Sequence, residues 1–361
     1  MLLPLVADAR FRPGRFPGTI SAAGLGMRQE TELKATADDA LASSAIEGET
    51  LPPPSQRAFI HRPATGLPGG GVSPRDSRVE GVADMVVDAT RNFRAPLTRK
   101  RISSWHHSLF ATGSQESTEI GKWRTDAQGR MQVVSSTYAA GKAPRVHFEA
   151  PPAALVPDAM AKFLNWFNAS APDTDGLVRA GIAHLWFLTI HPLDDGNGRI
   201  GRAIADITIA RAENDGRRFY SLSSAIPRQR RSYYEILKRT QKGDLDITGW
   251  LVWFLECHRM AIKSAEATAD RVIDIGRFWT TLNEAHPPIN ERQRKVLSRL
   301  LEGWEGLLTT RKWVAICGCS ADTAQRDFGG LVGRGLLVPN EKRGRSAGYT
   351  FTMDDAFPRT E

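Results

Sequence analysis

Apolar residues recur at helical spacing over most of this chain, and only short stretches alternate in the manner of strands. Met160, Phe163, Leu164 and Phe167 make one apolar face of a helix predicted over Val156 to Asn168. The next helix, Gly176 to Ile190, becomes apolar all round from Ala180, which is the pattern of a helix buried in a core. Further helices are predicted from about Glu30 to Ile46, Arg78 to Phe93, Thr98 to Phe110 and Arg199 to Ala212, around Tyr233 and Tyr234, and from Ile247 to Ala269. Between Gly121 and Ser136 the pattern changes. Lys122-Trp123-Arg124, then Asp126-Ala127-Gln128-Gly129, then Met131-Gln132-Val133-Val134 reads as a β-hairpin with a glycine-bearing loop. A lone hairpin is marginal in water, so it must lie against something larger. Near the end, helices over Asn290 to Glu302, Thr309 to Ile316 and Ala321 to Val332 precede Leu336 to Phe351, which reads as two strands joined by Asn340-Glu341-Lys342-Arg343-Gly344-Arg345. The predicted fold class is mainly α.

Breakers divide the pattern. Leu51 to Pro74, with Pro52-Pro53-Pro54 and Gly69-Gly70-Gly71, is punctuated too heavily for regular structure and predicts a flexible linker. Three regions follow: residues 1–95, with a helix at about 30–48 and the linker at about 51–74; a helical core at 96–270 that holds the hairpin 121–136; and a unit at 285–355.

With 361 residues the chain can bury a sizeable core and form two or three domains. Hydrophobic content of 41% and charged content of 24% are those of a soluble globular protein, and no apolar run approaches membrane-spanning length. The opening Met-Leu-Leu-Pro-Leu-Val-Ala is too short for a signal peptide and meets an acid at Asp8, so the cytoplasm is the expected location. Cys257, Cys317 and Cys319 suggest neither a disulfide framework nor a zinc site and read as structural. The formal charge of +8 permits an anionic partner such as nucleic acid or ATP without establishing one. His106 and His107 are adjacent on a helix and point in different directions, which argues against a shared metal, and His184 between Ala183 and Leu185 reads as a hydrogen-bonded core residue.

The chemistry is concentrated in residues 191–202, His-Pro-Leu-Asp-Asp-Gly-Asn-Gly-Arg-Ile-Gly-Arg. Pro192 disfavours helical geometry at His191, so the histidine sits where a buried helix ends. Gly196, Asn197 and Gly198 deliver backbone amides to the start of the next helix, where unpaired N–H groups and the helix dipole favour phosphate. Arg199 and Arg202, three apart, share a face of that helix and can clamp phosphate oxygens. Asp195 supplies the hard oxygen that Mg²⁺ prefers beside substrate phosphates. His191 is the side chain whose ordinary pKa suits proton abstraction near neutrality. Tyr233 and Tyr234 are candidates to line an adenine pocket, with core packing expected for at least one of them.

This stretch resembles the signature of the Fic family, His-x-Phe-x-(Asp/Glu)-Gly-Asn-Gly-Arg-x-x-Arg, with Leu193 in place of the Phe as another large apolar anchor. Ser43-Ser44-Ala45-Ile46-Glu47-Gly48 is similar to the (Ser/Thr)-x-x-x-Glu-(Gly/Asn) motif by which Fic proteins restrain themselves. Ser43 and Glu47 share a helix face, and Gly48 makes a natural helix end. The resemblance implies a helical Fic core with a β-hairpin flap and a protein adenylyltransferase that moves AMP from ATP, with Mg²⁺, onto a Tyr, Thr or Ser hydroxyl of a target protein or itself. It implies that Glu47 pairs with Arg202 and displaces the ATP γ-phosphate. It also implies that the flap, here Met131, Gln132, Val133 and Val134, docks the target by strand addition. The last segment resembles a winged helix-turn-helix domain, which would set Thr323, Gln325 and Arg326 toward a groove and Lys342, Arg343 and Arg345 toward phosphates. DNA binding, protein binding and homodimerisation stay open for it. Two alternatives remain beside AMP transfer. The same site could remove AMP or use another nucleotide, or the chain could be a DNA-binding regulator with a sensor-like Fic domain.

Overall fold

The computed structural model describes residues 2–9, 25–49, 77–110, 119–127, 129–134, 146–170, 173–217, 219–285, 289–301, 304, 306–340 and 348–352. The chain divides into two compact units, Met1–Ala269 and Asp270–Glu361. The expected linker and Lys342, Arg343 and Arg345, expected in a wing, lie outside the described residues.

The first unit is built of helices α1 (residues 2–9), α2 (Leu25–Ile46), α3 (Ser77–Arg91), α4 (Arg99–Leu109), α5 (Val156–Asn168), α6 (Gly176–Ile190), α7 (Asn197–Glu213), α8 (Leu222–Ala225), α9 (Arg230–Gln241) and the first part of α10 (Thr248–Ala285). Helices α6 and α7 form its centre. Both are buried along most of their length, with one apolar cluster on each side of the pair. Asp175 starts α6 by accepting from the amides of Leu177 and Val178, and the helix ends at His191, whose φ of 50° is left-handed. The single residue Pro192 keeps the chain from continuing as helix. The core histidine expected at His184 is there: it is buried, stacks on Trp250 and meets the Tyr233 hydroxyl at 2.9 Å.

The hairpin differs from the sequence reading. Strand β1 (Gln132–Val134) pairs antiparallel with β2 (Val146–Glu149), not with residues 122–124. The Asp126–Gly129 turn forms, with the Gly129 amide on the Asp126 carbonyl, but the amide of Arg124 bonds the Pro192 carbonyl and so is spent on the signature loop. The apolar alternation of Val146 and Phe148 was the overlooked strand signal.

Helix α10 continues to Ala285, beyond the Ala269 expected from the apolar pattern. In the second unit α11 (Glu291–Leu301), α12 (Thr310–Cys317) and α13 (Ala321–Val332) precede the antiparallel pair β3 (Leu337–Pro339) and β4 (Tyr349–Phe351). Phe278, Val296, Leu297, Trp313, Phe328 and Leu336 are among its buried core. Arg326 and Gln325 are exposed on α13, whereas Thr323 is half-buried. Cys257 is buried, Cys317 and Cys319 are half-buried, and all three are free thiols. No helix among the described residues is long and apolar enough to cross a membrane.

Candidate active site

The loop between α6 and α7 is locked by its own side chains. Asn197 Nδ2 donates to the Leu193 carbonyl at 2.7 Å while its Oδ1 accepts from the Leu193 amide at 3.0 Å. Leu193 is itself buried in the core, the anchoring role expected of it. Gly196 caps α7 at φ 78°, a left-handed value that a side chain would strain, and its amide donates to Asp195 Oδ1. The loop thus ends in a cradle at the N-terminus of α7, where unpaired amides and the helix dipole favour an anion.

His191 stands at the rim of this cradle. Its Nδ1 lies 3.3 Å from the Leu188 carbonyl, and because a carbonyl can only accept, the proton is assigned to Nδ1 and the lone pair to Nε2. Burial, with a smaller push from Arg124, lowers its pKa to about 4 against the opposing pull of Glu47 and Asp195. A neutral imidazole with a free Nε2 is the state that a general base needs.

Both signature arginines are buried, and both already hold carboxylates. Arg202 Nη2 meets Glu47 at 2.9 Å, and Arg202 also donates from Nε to Ser43 Oγ at 3.0 Å and from Nη2 to the Ser43 carbonyl at 2.8 Å. Burial lowers the Arg202 pKa, but the charge of Glu47 and the neighbouring Tyr233 and Tyr234 outweigh it and raise it overall. Arg199 Nη1 lies 3.1 and 3.2 Å from the two oxygens of Glu49. The Glu47 carboxylate lies over the start of α7, where a Cβ at Gly198 would come within 2.0 Å of it. Carboxylates from the end of α2 therefore occupy the cradle that the sequence assigns to phosphate.

Helix α2 is fastened to the rest of the unit in several places. Ser221 donates to the buried Asp39, Tyr234 donates to the Ile46 carbonyl at 3.1 Å, and Ala40 and Ile46 are fully buried. Tyr233 is the core residue of the tyrosine pair, buried among Trp250, Trp253 and His184. Asp195 is exposed at the cradle mouth, 3.6 Å from Arg199 Nη2. A single exposed carboxylate beside a phosphate cradle suits Mg²⁺, which keeps waters and binds mainly through substrate phosphates. No cluster of three or more His, Cys, Asp or Glu that could hold a metal occurs among the described residues.

Sequence reading missed two residues that the structure brings here. Glu49 lies just past the end of α2, where an isolated acid looks like surface. Arg124 is distant in sequence, yet its Nε donates to the His191 carbonyl at 2.7 Å.

Residues 96–209 match the Fic/DOC family model, and residues 1–63 match the model described as Domain of unknown function (DUF4172). Within residues 96–209 the chain is therefore similar to a Fic domain. It is 28% identical over 273 residues to protein adenylyltransferase fic-1 of Caenorhabditis briggsae, covering 71% of this chain and 45% of that protein. To protein adenylyltransferase Fic of Drosophila virilis it is 31% identical over 130 residues, 35% of this chain and 25% of that protein. The chain thus spans less than half the length of either relative. Among solved structures, a Fic family protein from Desulfovibrio desulfuricans G20 superposes with a TM-score of 0.55 at 20% identity, covering 97% of this chain and 95% of that one. A Fic domain containing signaling protein from Bacteroides thetaiotaomicron gives 0.53 at 18% identity, covering 72% of this chain and 97% of that one. At such identities the likeness shows the fold, a mainly helical Fic architecture.

Proposed function

We propose that this protein transfers AMP from ATP to a Tyr, Thr or Ser hydroxyl of a target protein or of itself, and that the end of α2 restrains it. The observation that carries this reading is that two buried arginines and a helix N-terminus, one residue run from a neutral histidine, are filled by the carboxylates of Glu47 and Glu49. A site that accepts two carboxylates in this geometry is built for a polyanion.

The residues divide the work as follows. His191 Nε2 takes the proton of the target hydroxyl as its oxygen attacks the α-phosphorus. The new O–P bond forms as the bond from that phosphorus to pyrophosphate breaks, and the pyrophosphate leaves on the far side. Asn197 and Gly198 hold phosphate oxygens through their amides, Gly196 joins them once its amide leaves Asp195 Oδ1, and Arg199 and Arg202 neutralise the β and γ groups once Glu49 and Glu47 yield them. Asp195 would hold Mg²⁺, whose charge supports the phosphates. Strand β1, with Gln132 exposed and Val133 half-buried, is suited to add a target segment as a further strand. Tyr234, half-buried beside the end of α2, is the remaining candidate of the tyrosine pair for the nucleotide base. Incubation of the Glu47→Gly protein with labelled ATP, CTP, GTP and UTP tests the reading. Label from ATP should appear on protein, and absence of label from any nucleotide would overturn it.

Two smaller effects are expected. Asp195→Ala should remove most of the Mg²⁺-dependent activity, so that titrations of the ion no longer raise transfer as they do in the parent. Superimposable titration curves would take the ion from Asp195. Glu49→Ala should raise transfer by about two- to fivefold, because its carboxylate is partly exposed and its pairing is screened. It should also add to Glu47→Gly, since the two acids hold different arginines. A rate equal to the parent in both backgrounds would make Glu49 a bystander.

A further inference from the structure

Resting on the transfer reading above, we infer that Arg124 is the positioning residue that fixes the general base His191 in its corner and couples that corner to the flap. Its side chain is buried and reaches three segments at once. Arg124 Nε donates to the His191 carbonyl at 2.7 Å, Nη1 meets Asp126 at 3.2 Å, and Nη2 donates to the Pro151 carbonyl just beyond β2. Its own amide donates to the Pro192 carbonyl at 2.9 Å. Two consecutive peptide units of the base-bearing corner are therefore held by one residue of the loop that leads into β1.

The corner needs such a hold. His191 has φ 50°, a region that residues with a side chain adopt only where their surroundings impose it. The Nδ1–Leu188 bond that leaves Nε2 free exists only while this backbone conformation persists. Anchoring the His191 carbonyl fixes the peptide that follows the ring, and anchoring the Pro192 carbonyl fixes the next one. Asp126 in turn accepts from the Ala153 amide at 2.8 Å, so both flanks of the hairpin are tied to the same guanidinium. A target strand seated on β1 would then lie in a defined relation to Nε2. The planar fork of arginine spans acceptors in several directions, whereas the ammonium of lysine is a compact point donor.

The test uses Arg124→Lys, which keeps the charge and loses the fork, and Arg124→Met, which loses both. Each is placed in the Glu47→Gly chain. With ATP, kcat should fall about 10²-fold, the size of effect expected from a misplacement of about 1 Å, while KM for ATP stays near that of the Glu47→Gly chain because residues 196–202 hold the nucleotide. The second readout is the imidazole nitrogen spectrum of His191, assigned by its loss in His191→Ala. The parent should show one tautomer, protonated at Nδ1, and both variants should show a mixture. This spectrum reports on the corner whether or not the chain transfers AMP. A silent Glu47→Gly chain would therefore overturn the functional reading while the spectrum still decides the role of Arg124. If Arg124→Met fails to fold, Arg124→Lys carries the comparison. An unchanged tautomer, or a lowered melting temperature with kcat and the His191 signals both preserved, would overturn the inference and leave Arg124 a structural residue.

Discussion

His191→Ala is expected to lower transfer by about 10²–10⁴-fold while ATP binding and the fold persist, the usual cost of removing a general base. The expectation rests on the isolation of the ring: its Nδ1–H is engaged by Leu188, and Nε2 alone is left to accept a proton. The pH dependence carries a sign that can be checked. Burial holds the imidazole down at about 4, so at neutrality it is already in the accepting form. Lowering the pH of the Glu47→Gly protein should leave kcat/KM nearly flat through the ordinary histidine range near 6.5 and down to about 4, because Glu47, whose charge raises this pKa, is gone. Measurement of label transfer across this range, beside calorimetric ATP binding by His191→Ala, checks both parts. A variant that still modifies protein at the parent rate would leave the hydroxyl without its base.

Much of this site was legible because its members are neighbours in sequence. The cradle, the base and both arginines lie within residues 191–202, so a local run of glycine, asparagine and arginine carries its chemistry without knowledge of the fold. Leu193 was readable as an anchor because it stands where the Fic signature has Phe and is also large and apolar, and it is buried. Ser43 and Glu47 were readable through the resemblance to the (Ser/Thr)-x-x-x-Glu-(Gly/Asn) motif, with helical spacing consistent with it, and the structure brings both to Arg202. Non-local relations outside these two motifs were not legible. The strand that pairs with β1 is Val146–Glu149, beyond residues 135–145, and that interval, although it holds Gly141 and Pro144, is too long for a tight turn to fix the pairing. Arg124 looked like a strand residue, since nothing near it in sequence shows that its guanidinium will meet the carbonyl of His191. The end of α10 was placed too early because Asp270, Arg271, Asp274 and Arg277 interrupt the apolar run, although no proline stops the helix before Ala285. Helical spacing located the buried face of each element well; it could not say which element that face would meet.

Glu47→Gly is expected to raise modification of self or target by about ten- to a hundredfold. The carboxylate lies 2.9 Å from Arg202, whose side chain is 2% exposed, and is itself 29% exposed, so water screens the pair only in part. A charge-assisted hydrogen bond of this kind contributes roughly 1.5–3 kcal/mol, and about 1.4 kcal/mol corresponds to a factor of ten. Two consequences of removing it act in the same direction. Arg202 becomes available to the γ-phosphate, and the space over Gly198 opens, where the carboxylate now lies so close that a methyl group would not fit. ATP can then settle with its α-phosphorus in line with the hydroxyl held beside His191. The control is Glu47→Gly combined with Arg202→Ala, which should lose the gain because the freed arginine is gone, whereas a gain that came from loosening α2 would survive it. Label incorporation by the parent, the single variant and the double variant decides between these. A single variant no more active than the parent toward any hydroxyl-bearing protein would remove Glu47 as the restraint. If it instead lost an activity that releases AMP from modified protein, Glu47 would be placing a water for hydrolysis, and AMP removal would become the reaction of this site.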